Sequence, residues 1–158
     1  MASSWQPAMA DDASEGCPVR ALNVDSDHLK TLPGVRSVVF DARRTRATLI
    51  YNNGDVLRVG ATGCVTPMIS ARLWVADDGE MSDALWMDRA RSVAGLVLTP
   101  ASSERFNASL KNDSTVTHAD GGMKVERALG DGAGYSMAVV RSPRDSLGAS
   151  LSLVFRNL

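Results

Sequence analysis

The stretch Tyr51-Asn52-Asn53-Gly54-Asp55 constrains this chain more than any other. Asn and Gly tolerate the positive φ angles of a tight turn, and the flanking residues alternate between apolar and polar, so the segment predicts a β-hairpin. Its arms are Arg46 to Tyr51 and Asp55 to Val59. In the first arm Ala47, Leu49 and Tyr51 fall on one face and Thr48 and Ile50 on the other. With apolar residues on both parities, the pattern predicts a sheet covered on both sides near its middle, one side by a helix.

Further strands are expected at Val35 to Asp41 and at Met68 to Ala76, where Ile69, Ala71, Leu73 and Val75 alternate with Ser70, Arg72 and Trp74. One helical turn is expected at Ser26 to Lys30, before Pro33-Gly34. The best helix runs from about Ser82 to Leu96, with Ser82 as N-cap and Leu85, Trp86, Ala90, Val93 and Leu96 on one face. Pro100 forbids its extension. Residues 102 to 122 are rich in Ser, Asn and Asp and read mostly as loop, with a short helical or strand piece around Arg105 to Leu110. Three closing strands are expected at Met123 to Leu129, Tyr135 to Arg141 and Ala149 to Phe155. Strands, one helix, then strands, joined by short turns, predict an α+β fold: a mostly antiparallel sheet with one long helix, about 82–96, packed on it.

At 158 residues with 44% hydrophobic content, the chain can bury one core, and one domain is expected over 17–158 behind a flexible segment, 1–16. A formal net charge of −1 provides no overall field toward nucleic acid or an anionic membrane, and no apolar run approaches the roughly 20 residues of a membrane span.

Ala8-Met9-Ala10 followed by Asp11-Asp12 matches the end of a secretory leader, while Met1-Ala2-Ser3 reads as an added start. An exported, periplasmic protein with its signal peptide removed is the expectation. Cys17 and Cys64 fit neither a CxxC redox pair nor a four-ligand zinc site. In an exported chain they are expected to form a disulfide worth on the order of 3–4 kcal/mol. In a cytosolic chain they would be two separate buried thiols.

The chemical motifs each have a plainer reading. Gly130, Gly132 and Gly134 lack the third glycine of a dinucleotide loop, because Tyr135 stands there and a strand follows. Asn23, Asp25 and Asp27 lack the Gly and the acid that a calcium loop needs at positions 28 and 34. His28 and His118 are the two histidines, so three-histidine zinc chemistry is excluded, and neither lies in a nucleophile elbow. Asp77, Asp78 and Glu80 form an acidic turn that favours the following helix rather than a carboxylate pair across a cleft. Arg43, Arg44 and Arg46 cluster without an aromatic stripe and face solvent or an acidic partner. No catalytic site, metal or cofactor is predicted.

The segment from Arg46 to Cys64, with Tyr51 to Val59 leading into Gly63-Cys64, resembles small exported bacterial proteins that act as periplasmic immunity proteins or inhibitors of cell-wall hydrolases. The resemblance implies a non-enzymatic protein that protects its producer by blocking a toxic effector enzyme. Rigid inhibitors need a presented surface and no nucleophile. By position, the expected partner contacts are Trp74, Asp77, Asp78, Glu80, His118, Asp120, Asp131 and Tyr135. Trp74 stands out because it falls on the polar parity of its strand, where an aromatic ring can anchor an interface. An accessory subunit of an envelope assembly and a small-ligand carrier are the alternatives.

Overall fold

The computed structural model describes residues 26–62, 66, 68–76, 81–110, 116–119, 121–140 and 148–158. Cys17 and Cys64, the leader-like segment, Asp77, Asp78, Glu80 and Asp120 lie outside the described residues.

The fold is α+β. Eight strands form one antiparallel sheet: β1 (Val35–Phe40), β2 (Arg46–Tyr51), β3 (Val56–Thr62), β4 (Met68–Val75), β5 (Thr117–Ala119), β6 (Gly122–Gly130), β7 (Ala133–Val140) and β8 (Ala149–Arg156). Their spatial order is β1-β2-β3-β4-β8-β7-β6-β5. The last strand inserts between the N-terminal meander and the C-terminal hairpins, so the two halves of the chain share one sheet.

Period-two alternation sets which face is buried. Across the sheet, Leu49, Leu57, Leu73, Leu151, Val139 and Met123 face one another in successive registers. All six are buried. This ladder is the floor of the core, and the helices are its roof.

The expectation of one long helix packed on the sheet is corrected to a layer of three: α1 (Ser26–Thr31), at the expected helical turn, α2 (Asp83–Val97), at the expected long helix, and α3 (Pro100–Ser109), where mostly loop is expected. Ser82 caps α2 as expected, its Oγ accepting from the Leu85 amide at 3.3 Å. The buried stripe is Trp86, Met87, Ala90, Val93, Ala94 and Val97, while Leu85 is exposed. Pro100 does end α2, but it also opens α3: Thr99 caps that helix and Pro100 takes the first turn, where a missing N–H costs nothing. Leu29, Trp86 and Phe106, one from each helix, join the same cluster as the strand ladder.

Of the two covers expected, the described residues supply the one on the ladder face. All three helices lie on the ladder face, and among the described residues no helix covers the other. Ile50, whose parity suggests a second layer, is exposed on that face, as is Val39.

The turns follow from local chemistry. In the β2–β3 hairpin Gly54 has φ of +90°, and the Asn53 side chain accepts from the Asp55 amide. Asp131 and Gly132, both at positive φ, close the β6–β7 hairpin as a two-residue turn, shorter than the five-residue connection expected. In the β1–β2 turn Asp41 accepts from the Arg46 amide at 2.9 Å and from Thr45 Oγ1 at 2.8 Å. The Arg46 amide bond, then the Thr45 hydroxyl, hold its carboxyl below the ordinary 3.8. A depressed carboxyl stabilises its turn above the ordinary value and loses that contribution as pH falls through the folded one. Hydrogen exchange of the Arg46 amide, at matched intrinsic rates, is therefore expected to show constant protection above about pH 5 and loss of protection below about pH 4.

Candidate functional site

The uncovered face of the sheet is where the described residues depart furthest from an ordinary solvated surface. Two of its registers carry the unusual chemistry. One runs Ile50, Val56, Trp74, Ser150 and Val140 across β2, β3, β4, β8 and β7. The next runs Thr48, Arg58, Arg72, Ser152, Ala138 and Lys124. Ile50 and Val140 are exposed, and Val39 on the flanking edge strand is 60% exposed.

Arg58 and Arg72 sit directly opposite each other on β3 and β4. Like charges so placed destabilise a sheet. The indole of Trp74 offsets this: the Arg72 guanidinium lies 4.9 Å from its ring centroid and that of Arg58 5.9 Å. Arg72 also donates to Ser150 Oγ from Nη2 at 3.2 Å. Ser150 is buried beneath this cluster. Among the described residues, neither guanidinium has a carboxylate partner. Their charge is held in place and, among the described residues, is balanced by no carboxylate.

The rest of the face has the same sign. Among the described strand residues, Arg46, Arg156 and Lys124 share it with Arg58 and Arg72, against the one carboxylate of Glu126, which pairs with Lys124 at 3.6 Å. The chain as a whole carries −1. A cationic face on a near-neutral protein is a directional feature that net charge conceals.

The expected contact residues do not form one patch. Trp74 is at the centre of the open face. His118 projects from β5 on the helix-covered side, where its Nε2 meets Asp83 Oδ2 at 2.7 Å. Asp131 turns at the opposite end of the sheet from the Trp74 register. Tyr135 is corrected from a surface contact to a core residue: it is fully buried, edge-on to Phe106 with centroids 4.7 Å apart. Its strand parity, the same as Met137 and Val139, carried that signal. The arginine cluster also separates, since Arg44 stacks on Phe40 at the turn while Arg46 joins the open face.

The His118–Asp83 pair borders a shallow depression of about 290 Å3 with Trp86, Gly122 and Val139. Among the described residues, no hydroxyl or thiol hydrogen-bonds the imidazole, so the pair ties β5 to the first turn of α2. Nor do they group three or more metal-ligating side chains, and no helix among them is long and apolar enough to cross a membrane.

These features define a class: an α+β protein with an antiparallel sheet whose described helices all lie on one face, and whose other face presents an aromatic and arginine cluster. Comparison with protein-family models, with curated proteins and with solved structures finds no match to the chain.

Proposed function

We propose that the protein is a non-enzymatic, exported binding protein of immunity or inhibitor type, which blocks a toxic cell-wall-targeting enzyme in the periplasm through the open face of its sheet. The observation that carries this reading is the opposed pair Arg58 and Arg72 astride Trp74. Trp and Arg are the residues most enriched at the energetic centres of interfaces. Two unpaired guanidiniums call for an acidic partner surface, and a carboxylate entering between them would relieve their mutual repulsion. Ile50, Val56 and Val140 in the adjacent register supply apolar area around the charge. A sheet anchored on one side by three helices is also rigid, which lowers the ordering cost of binding.

The test is capture with the oxidised, tagged protein from periplasmic and secreted fractions, run beside Trp74→Ala. A cell-wall hydrolase retained at equal stoichiometry by the parent, lost from the variant and inhibited by the parent alone would support the reading. A partner retained equally by both, or one whose activity is unchanged, would overturn it. The complex is further expected to weaken as salt rises from 0.05 to 0.5 M, chiefly through slower association, because the charges facing each other are partly solvated. Stopped-flow association at several ionic strengths checks this; a salt-independent rate would remove the electrostatic part.

A further inference from the structure

A second site lies on the other face, between the tip of the β2–β3 hairpin and α2. A cleft of about 360 Å3 opens there, with Tyr51, Asn52 and Asp55 on one wall, Arg89 and Ser92 on the other, and Leu73, Val93 and Leu96 as apolar lining. That volume falls within the roughly 300–1,000 Å3 of small-molecule sites, and few polar groups set in an apolar pocket are their usual composition.

The polar groups divide into committed and free. Asp55 is buried and fully engaged: its Oδ1 accepts from the Ala76 amide at 3.0 Å and its Oδ2 from Asn53 Nδ2 at 3.1 Å. Arg89 balances its charge at 3.8 Å without hydrogen-bond geometry. The Arg89 donors and the Tyr51 hydroxyl therefore have no hydrogen-bond acceptor among the described residues. Burial, and then the nearby Asp55 carboxylate, raise the Tyr51 pKa above 10.0, with Arg89 opposing. The phenol is thus a proton donor at neutral pH. The rim is fixed as well, because the Asn52 amide donates to the Gly34 carbonyl at 2.8 Å and ties the β1 turn to the hairpin.

We infer that this cleft binds a small neutral molecule with an amide or carbonyl head and a short aliphatic body. The head accepts from Tyr51 Oη and Arg89, and the body lies over Leu73, Val93 and Leu96. Neutrality follows from the charge balance: a ligand carboxylate would compete with buried Asp55 for Arg89 and place two like charges close together. The site is independent of the open face and of any protein partner there.

The test is a titration of amide chemical shifts with two isosteric probes, 3-methylbutanamide and 3-methylbutanoate, on the full chain. The amide is expected to give saturable shifts in the millimolar range, confined to residues 33–34, 51–55, 73 and 89–96. The carboxylate should bind at least about tenfold more weakly. Tyr51→Phe keeps the ring and removes only the hydroxyl; with the rest of its spectrum unchanged, it should weaken amide binding about fivefold, the equivalent of one hydrogen bond. Absence of saturable shifts, shifts centred elsewhere, equal affinity for the carboxylate, or an unaffected Tyr51→Phe variant would each overturn the inference.

Discussion

Phe106→Ala is expected to destabilise the protein by about 3–5 kcal/mol, the range for removing a buried phenyl ring from a packed core. Phe106 is fully buried and is the buried residue of α3. Its ring meets Tyr135 edge-on at 4.7 Å and Phe155 at 5.2 Å, so one substitution breaks two aromatic contacts and opens a cavity beneath β7 and β8. Phe106 is the helix's main apolar anchor. Ser102, Ser103 and Ser109 are half-buried, and its outward bonds among the described residues are donations from Arg105 to the Leu129 carbonyl, from the Ser109 hydroxyl to Tyr135 Oη and from Arg127 to the Ser109 carbonyl. Chemical denaturation measures the loss, and thermal unfolding should move by on the order of 10 °C. A change below about 1 kcal/mol would mean that α3 is not a fixed part of the core. Phe106→Leu, which keeps most of the volume, should recover more than half of the loss.

The second large effect separates binding from folding. Trp74→Ala is expected to cost about 2–4 kcal/mol of affinity for the protein partner, or roughly 30- to 1,000-fold in Kd. Arg72→Glu should abolish measurable binding, because it replaces an expected donor to an acidic surface with a like charge. Its effect on folding has the opposite sign. A glutamate opposite Arg58 turns a repulsive cross-strand pair into an attractive one, so stability should hold or rise by up to about 1 kcal/mol. Isothermal titration and denaturation of the same variants give both quantities. Loss of binding together with loss of stability would identify the cluster as structural, and retained binding in Arg72→Glu would place the interface elsewhere.

A side chain that serves only its own fold does not normally sit against an equal charge. On this face, sequence-adjacent rules cannot compensate the pair, since Arg58 and Arg72 belong to different strands and their nearest shared neighbour is an indole. The fold tolerates the cost because Trp74 and Ser150 absorb part of it; in the proposed function a partner's carboxylate takes up the remainder.

Much of the architecture was legible locally. The Asn53-Gly54 turn, the alternation in β2, β4 and the closing strands, and the Ser82 cap each depend on residues within a few positions of one another. Helix α3 was not, beyond a short helical or strand piece around Arg105 to Leu110. Its serines and asparagine resemble loop composition, and only Thr99-Pro100 marked a start; Phe106 then secures the helix by contacts with residues 29 and 49 positions further on. Tyr135 was misplaced because a glycine-rich turn precedes it, although its parity already assigned it to the core. Trp74 was singled out from parity alone, without the two arginines that give it chemical meaning.

By itself, then, the sequence determined the α+β class, the antiparallel hairpins and the inward parity of nearly every strand, because propensity, turn chemistry and period-two patterning act over short spans. Tertiary structure alone decided that β8 lies between β4 and β7, that all three helices stack on one face, and that Arg58, Arg72, Trp74 and Ser150 meet on the other. Those outcomes depend on strand order and register, which pair Met68 with Arg156, 88 positions apart, and have no signature in any local window.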